Sequence, residues 1–220
     1  MKKNVRKIKS SKQSVRARRV AYSLAAGAAA SGIAGNSADE ANAQIVYSGP
    51  QNIAVTSGFS QNIDMDLDGQ QDINLQNFNF FGGPYQGAGA VFFPGELVGF
   101  VPGFAYVSAL SSGYLIDAAS TNIAGGSMAY GAVNPNAQFN NVTDAYVGIG
   151  FPSGPNFYYG WVRVDVNNAA KTLLIKDWAY NATSGASIVA GQVPEPGTLG
   201  MLAAGAAGVF ALRRRRKDAA

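Results

Sequence analysis

Hydrophobic and polar residues alternate in short runs along the middle of the chain. The clearest run is 158–166, whose three valines fall on one face of a strand, whereas Trp161, Arg163 and Asp165 fall on the other. The run 145–151 alternates in the same way and places Val147 on its inward face. The pattern predicts strands at 53–55, 63–67, 73–80, 103–107, 145–151, 158–166, 172–180 and 187–190.

Between these runs the chain is rich in Gly, Pro, Asn and Ser, and no segment of the middle keeps a helical period of 3.6 residues. Many short strands with frequent turn signals predict an all-β fold, an antiparallel β-sandwich or jelly-roll-like domain over residues 44–192. Residues 81–103 lack a clear period, and we expect an irregular connection with one or two short strands there. Helices are expected only at the two ends of the chain.

The first 43 residues have the layout of a secretory signal peptide. Residues 1–19 contain nine basic residues and no acidic one, residues 20–35 are uncharged, and Ala41 and Ala43 form a small-x-small cleavage site. This order predicts a signal helix, passage through a secretion translocon, and cleavage after Ala43 by signal peptidase. The alternatives are a basic arm that binds nucleic acid and a first transmembrane helix.

Residues 193–220 contain three segments in a fixed order. Pro194, Glu195 and Pro196 come first, an uncharged run at 198–212 follows, and four arginines come next. The run would span about 22 Å as a helix, which is short for a hydrocarbon core of about 30 Å. The arginine cluster favours a single transmembrane helix with the basic end in the cytoplasm. That cluster consists of Arg213, Arg214, Arg215 and Arg216. An ordinary C-terminal helix of the domain and a permanent tail anchor are the alternatives.

This order of segments closely resembles the PEP-CTERM sorting signal of bacteria that export exopolysaccharide-associated proteins. The resemblance implies that an exosortase-type membrane peptidase cuts at the Pro-Glu-Pro motif after a transient stay in the inner membrane. It implies a final location at the cell surface or outside the cell. The late strands also resemble a layout that recurs in such proteins and carries no known activity; here it comprises 159–162, 178–181 and 190–191.

The charge balance changes once both ends are set aside. The whole chain carries +4, but residues 44–193 keep only Arg163, Lys171 and Lys176 against nine acidic residues, a net charge of −6. An acidic body without a basic patch excludes nucleic acid as its partner. The chain has no Cys and no His, which excludes disulfides, thiolate metal sites and Ser-His-Asp or Cys-His catalysis.

One motif has the spacing of a metal loop. Residues 64–72 read D-x-D-x-D-G-x-x-D, which matches the first nine positions of a calcium loop. Leu75 replaces the bidentate Glu of position twelve, and the flanks alternate as strands, so the motif is not an EF-hand. We expect structural Ca²⁺ with ligands from Asp64, Asp66, Asp68, Gln70 and Asp72. The alternative is a plain β-hairpin whose Asp68-Gly69 turn exposes carboxylates.

No spacing of acidic residues singles out a catalytic pair, and no catalytic residue is predicted. The sequence favours a non-enzymatic exported protein of the cell surface or of the extracellular exopolysaccharide matrix. One alternative is a glycan-binding module that uses Trp161 and Trp178, with Tyr158 and Tyr180 as further candidates. A carbohydrate-active hydrolase is the other alternative. Its candidate carboxylates are Glu96, Asp117, Asp144, Asp165 and Asp177.

Overall fold

A computed structural model describes residues 44–194 of the chain. The expected signal helix, its cleavage site and the expected transmembrane helix lie outside these residues. Within 44–194, the secondary structure consists of strands and one short 3-10 helix at Gly131–Val133. No helix of this range has the length and apolar character needed to cross a membrane.

Fourteen strands follow one another along the body. They are β1 (Ile45–Tyr47), β2 (Ile53–Val55), β3 (Phe59–Ile63), β4 (Ile73–Phe80), β5 (Gly83–Ala90), β6 (Glu96–Phe100), β7 (Tyr106–Val107), β8 (Leu115–Ile116), β9 (Thr121–Ile123), β10 (Gly125–Ala129), β11 (Asn141–Ser153), β12 (Asn156–Asn167), β13 (Thr172–Asn181) and β14 (Ile188–Val189). The all-β prediction is therefore confirmed for the described body.

Twelve of these strands form one continuous sheet in the order β1-β13-β12-β11-β6-β7-β10-β5-β4-β3, with β2 beside β13 and β9 beside β6. The expected sandwich has two separate sheets, whereas here β6 joins the two halves. Its Leu97 pairs with β11 and its Gly99 pairs with β7. A Cβ at Gly99 would lie 2.7 Å from Ile123 Cγ1, so a glycine is needed where β6 changes partners.

The sheet curls so that its two halves bury a common core. Leu75 of β4, Met128 of β10, Ile149 of β11 and Val164 of β12 are all fully buried in this core. The inward faces that alternation predicted are confirmed, because each of the following side chains is buried: Val147, Ile149, Phe151, Val162, Val164 and Val166. The curl rather than a second sheet supplies the opposite wall of the core.

A second, smaller core lies on the other face of β12 and β13. It contains Trp161, Ile45 of β1 and Ile188 of β14, and it is covered by the two-stranded sheet of β8 and β14. Alternation along β12 therefore produces two buried faces at Trp161 and Val162, not one buried and one solvated face.

Two segments differ from the pattern that the sequence predicts. The strand expected at 63–67 instead covers Phe59–Ile63, and residues 64–67 belong to the loop that follows, where Leu67 adopts φ +62°. The connection at 81–103 contains two strands, β5 and β6, as expected, but they are eight and five residues long and take up most of a segment that was expected to be mainly irregular. β5 reads GPYQGAGA, so it has too few large apolar residues to show a strand period.

Candidate functional site

The Asp-rich segment forms the loop between β3 and β4. Ile63 and Ile73 are the last paired residues of this hairpin, and the Asp72 amide donates to the Ile63 carbonyl at 2.9 Å. Residues 64–72 therefore make up a long loop, not a two-residue Asp68-Gly69 turn. Gly69 adopts φ +93°, a conformation that favours glycine.

Carboxylates of this loop accept hydrogen bonds from its own backbone. Asp64 Oδ2 accepts from the Gly69 amide at 2.9 Å, and Asp66 Oδ1 accepts from the Asp68 amide at 3.2 Å. Asp68 Oδ1 accepts from the Gln70 amide at 2.8 Å. These bonds fold the loop so that its carboxylates turn inward, as short polar side chains do in Asx turns.

Three of the four predicted carboxylates come together. Asp64, Asp66 and Asp72 each offer one oxygen, and these three oxygens lie within 4.8 Å of one another. Asp68 lies outside this group and receives a hydrogen bond from Ser153 Oγ at 3.1 Å. Gln70 is exposed, and its backbone amide is engaged with Asp68. We call Asp64, Asp66 and Asp72 the carboxylate triad.

Two carboxylate oxygens of the triad are buried, Asp72 Oδ2 and Asp64 Oδ1. Asp72 is only 4% exposed, and its Oδ2 accepts from the Met65 amide at 2.6 Å. Asp64 Oδ1 is buried and has no hydrogen-bond partner within residues 44–194. None of the ion pairs in this part of the chain reaches the loop, since all of them involve Arg163 or Lys176.

Burial and crowding change the acidity of Asp72. Burial raises its pKa to about 7, the Met65 hydrogen bond opposes that rise, and the charges of Asp66, Asp64 and Asp68 add to it. A divalent cation would relieve this repulsion. Carboxylate oxygens without any nitrogen or sulfur donor are the set that Ca²⁺ prefers. The donor set and the unpartnered Asp64 oxygen therefore fit Ca²⁺.

A charged network covers the outer side of β12 and β13. Arg163 binds Asp177 in a bidentate fashion, with Nε to Oδ1 at 2.9 Å and a second bond from Nη2 to Oδ2. Tyr47 Oη also donates to Asp177 Oδ2 at 2.9 Å. Lys176 Nζ contacts Asp144 Oδ1 at 2.7 Å, and this hydrogen bond lowers the pKa of Asp144. The carboxylates of Asp144, Asp165 and Asp177 are thus each paired with a cation.

The two tryptophans lie in different surroundings. Trp161 is 1% exposed and packs edge-on against Tyr146 at a centroid distance of 5.2 Å, so it offers no face to a sugar. Trp178 is half-buried against the main core. Tyr158 and Tyr180 pack on each other and on Phe151. The alternative of a glycan-binding site that uses Trp161 therefore lacks an exposed ring at that residue, because the second core covers that face of β12.

Sequence reasoning missed an aromatic cluster on the other half of the sheet. Phe78, Phe80, Tyr85 and Tyr130 form this cluster, with neighbouring ring centroids 5.4 to 6.2 Å apart. Phe80 is 50% exposed. The alternation within 73–80 could have indicated this cluster, because it places Phe78 and Phe80 on the face opposite Ile73 and Leu75.

The folded body holds the chain up to the start of the C-terminal motif. Ile188 of β14 pairs with Ile116 of β8, and the Trp161 indole donates from Nε1 to the Gln192 carbonyl at 3.2 Å. Pro194 follows two residues later and is exposed. Glu195, Pro196 and the arginine cluster lie outside the described residues, as do Ala41 and Ala43.

Comparison with protein families decides what this tail is. The family model of the PEP-CTERM protein-sorting motif matches residues 192–216. The chain carries a PEP-CTERM sorting motif. Searches of curated proteins and of solved structures gave no match. A PEP-CTERM motif is processed by an exosortase-type membrane peptidase, and it directs a protein through the membrane to the cell surface.

Proposed function

We propose that this chain is a non-enzymatic protein of the cell surface or exopolysaccharide matrix, whose exported β-domain is clamped by calcium. The observation that carries the location is the PEP-CTERM motif at residues 192–216. The N-terminal 43 residues would direct the chain to the translocon and be removed by signal peptidase. The C-terminal sorting motif would then hold the chain in the inner membrane until an exosortase cuts at Pro194-Glu195-Pro196.

A non-enzymatic role is supported by the chemistry of the available side chains. The chain lacks His and Cys, and three of the acidic residues considered for hydrolysis are held in ion pairs with Arg163 or Lys176. Glycoside hydrolysis needs two carboxylates on opposite sides of one bond in a cleft. Asp144 of β11 shares Arg163 with Asp177 and shares Lys176 with Asp165, so these acids form a chain of ion pairs and offer no such arrangement.

Calcium is the part of the proposal that the carboxylate triad supports. Asp64, Asp66 and Asp72 would supply oxygen ligands, and the ion would fix the β3–β4 loop after export. The plain hairpin alternative leaves the Asp64 oxygen without a partner and leaves the repulsion around Asp72 uncompensated. Extracellular modules of this kind bind Ca²⁺ with Kd values of about 10⁻⁴ to 10⁻³ M.

Melting curves with and without Ca²⁺ test the clamp. At pH 7.5 and 5 mM CaCl₂ we expect a melting temperature several degrees above that in EDTA, because ligand binding to the folded state stabilises it. Asp66→Ala should remove this difference, whereas Glu96→Gln, which deletes a carboxylate of β6, should keep it. An equal melting temperature in CaCl₂ and EDTA for the unmodified protein would refute the clamp.

Fractionation of the producing cell tests the sorting route. Replacing Pro194 and Glu195 by alanine should leave the chain membrane-bound and uncut, because the peptidase loses its motif. Pro155→Ala alters an exposed proline in the β11–β12 turn and should not change processing. Normal release of the double variant would contradict cleavage at this motif.

A glycan-binding module of the same matrix is the second candidate. Trp161 cannot serve it in this structure, but the cluster of Phe78, Phe80, Tyr85 and Tyr130 favours it. Phe80 is exposed and the other three rings are half-buried. An accessible ring beside amide side chains is suited to sugars, because the ring packs on apolar sugar faces and the amides form hydrogen bonds with hydroxyl groups.

A further inference from the structure

Four neighbouring strands of the sheet contain no charged residue. These strands are β3, β4, β5 and β10, which read FSQNI, INLQNFNF, GPYQGAGA and GGSMA. They are adjacent in the sheet. The twelve charged residues of the body all lie elsewhere in the sequence. In a body of net charge −6, such an uncharged surface needs a reason.

The outward face of these strands combines amides, rings and glycines. Ile73, Leu75 and Asn77 of β4 are buried, so the alternate residues of that strand point outward. Pairing across the sheet places Asn62, Gly89, Gly87 and Tyr85 on the same side as these residues. We name this surface the outer face, and its residues are Asn62, Asn74, Gln76, Phe78, Phe80, Tyr85, Gly87 and Gly89.

Glycine shapes this surface beside the aromatic cluster. A Cβ at Gly87 would lie 2.8 Å from Tyr85 Cε1, so the Tyr85 ring lies over Gly87 and no larger residue fits beneath it. At Gly89 an added Cβ would make only an ordinary van der Waals contact, 3.7 Å from the Ala124 carbonyl oxygen, so the sheet is less crowded there than at Gly87. The result is a shallow platform with a ring at one end and amides along its length.

We propose that the outer face binds an uncharged polysaccharide chain; the proposal builds on the exported location given above. Phe80 and Tyr85 would pack on apolar faces of sugar rings. Asn74 and Gln76 can donate and accept hydrogen bonds at once, as sugar hydroxyls require. Outward residues repeat about every 7 Å along β4, which suits an extended polymer lying along the strand.

Charge selects the class of polymer. An acidic polysaccharide would need cations, but the outer face has none and the surrounding body is negative. A lipid surface is disfavoured, because burying Asn74 and Gln76 in hydrocarbon would cost the hydrogen bonds of their amides. A second copy of the chain could instead pack on the outer face, and light scattering distinguishes this occupant from a polysaccharide.

Affinity electrophoresis of the full-length chain in detergent micelles tests the proposal independently of export. Gels would contain hydroxyethyl cellulose, galactomannan or a soluble mixed-linkage β-glucan, and alginate serves as the acidic polymer. We expect retardation by at least one neutral polymer and none by alginate. Phe80→Ala and Gln76→Ala should each weaken the apparent affinity about tenfold or more.

The matched control is Tyr114→Ala, which removes a partly exposed ring near β8 and should leave retardation unchanged. Melting curves check that each variant folds, and Phe80→Ala and Gln76→Ala alter outward side chains only. The proposal is overturned if no neutral polymer retards the folded chain, if alginate does, or if both variants bind normally. Light scattering that shows a dimer lost in Phe80→Ala would assign the outer face to a second copy and equally overturn it. A chain that binds polymer but is never exported would leave this proposal standing and refute the proposed location.

Discussion

At the scale of single residues, Asp72 shows how burial and a like-charged neighbourhood act on one carboxyl. Its side chain is buried beneath the loop, bonds the Met65 amide, and faces Asp64 and Asp66. The raised pKa means that the folded protein binds a proton that the unfolded chain releases near pH 4. Without a metal, Asp72 therefore opposes folding at neutral pH.

This raised pKa predicts a pH dependence of stability in EDTA. Between about pH 4 and pH 7 the folded state binds more protons than the unfolded state, so the free energy of unfolding should fall as pH rises and level off above pH 7. Asp72→Asn should remove most of this slope. Urea titrations at several pH values measure it, and a slope shared equally by both proteins would contradict the assignment.

A second residue-scale prediction concerns the buried Asp177. It is 1% exposed and depends on Arg163 and Tyr47 for its charge. Arg163→Met should cost about 3–5 kcal/mol, because it leaves a buried carboxylate without its cation. Lys176→Met is the control and should cost about 1 kcal/mol or less, since both of its partners, Asp144 and Asp165, stay in contact with solvent. Urea denaturation compares the two, and equal losses would contradict this account.

At the scale of elements, a short strand with few backbone hydrogen bonds can be held in place by a buried side chain. β14 has two residues, yet Ile188 is buried in the second core beside Trp161. The longer strands β4 and β5 are also fixed to the opposite half of the sheet by buried amides. Asn77 donates to the Val55 carbonyl at 2.7 Å, and Gln86 Oε1 accepts from Asn168 Nδ2 at 2.8 Å.

The role of β14 can be tested by shortening its side chains. Ile188→Ala should cost about 2–4 kcal/mol and expose the chain before Pro194 to added protease, because a buried side chain anchors this end. Val189→Ala, next to it and only half-buried, should cost far less. Urea denaturation and limited proteolysis with mass analysis provide the readouts. Equal protection of both variants would show that β14 is held by other contacts.

At the scale of the whole molecule, the sequence predicts that the fold is all-β but does not predict how the strands join into one sheet. Alternation identifies β4, β11, β12 and β13, because large apolar residues recur at every second position there. Alternation does not locate β5, because its residues are mostly small and show no alternation of apolar and polar side chains. It also cannot show that β6 joins both halves of one sheet. Long-range pairing of this kind is absent from local patterns.

Among the candidate sites, too, the sequence predicts those formed by neighbours in the chain and not those formed by distant strands. The aspartate spacing of 64–72 predicts the carboxylate triad, since neighbours in one loop are close whatever the rest of the fold does. The burial of Trp161 depends on β8 and β14, which come from distant parts of the chain, so its sequence context predicts the wrong environment. The outer face likewise emerges only when the three strands β3, β4 and β5 are placed side by side.

Mass spectrometry of the native protein from the medium or cell surface would show whether the chain is exported and cut at both ends. We expect a mature chain that begins near Gln44 and ends at or near the Pro194-Glu195-Pro196 motif, without the arginine cluster. Recovery of the intact 220-residue chain from the cytosol would contradict both export and processing.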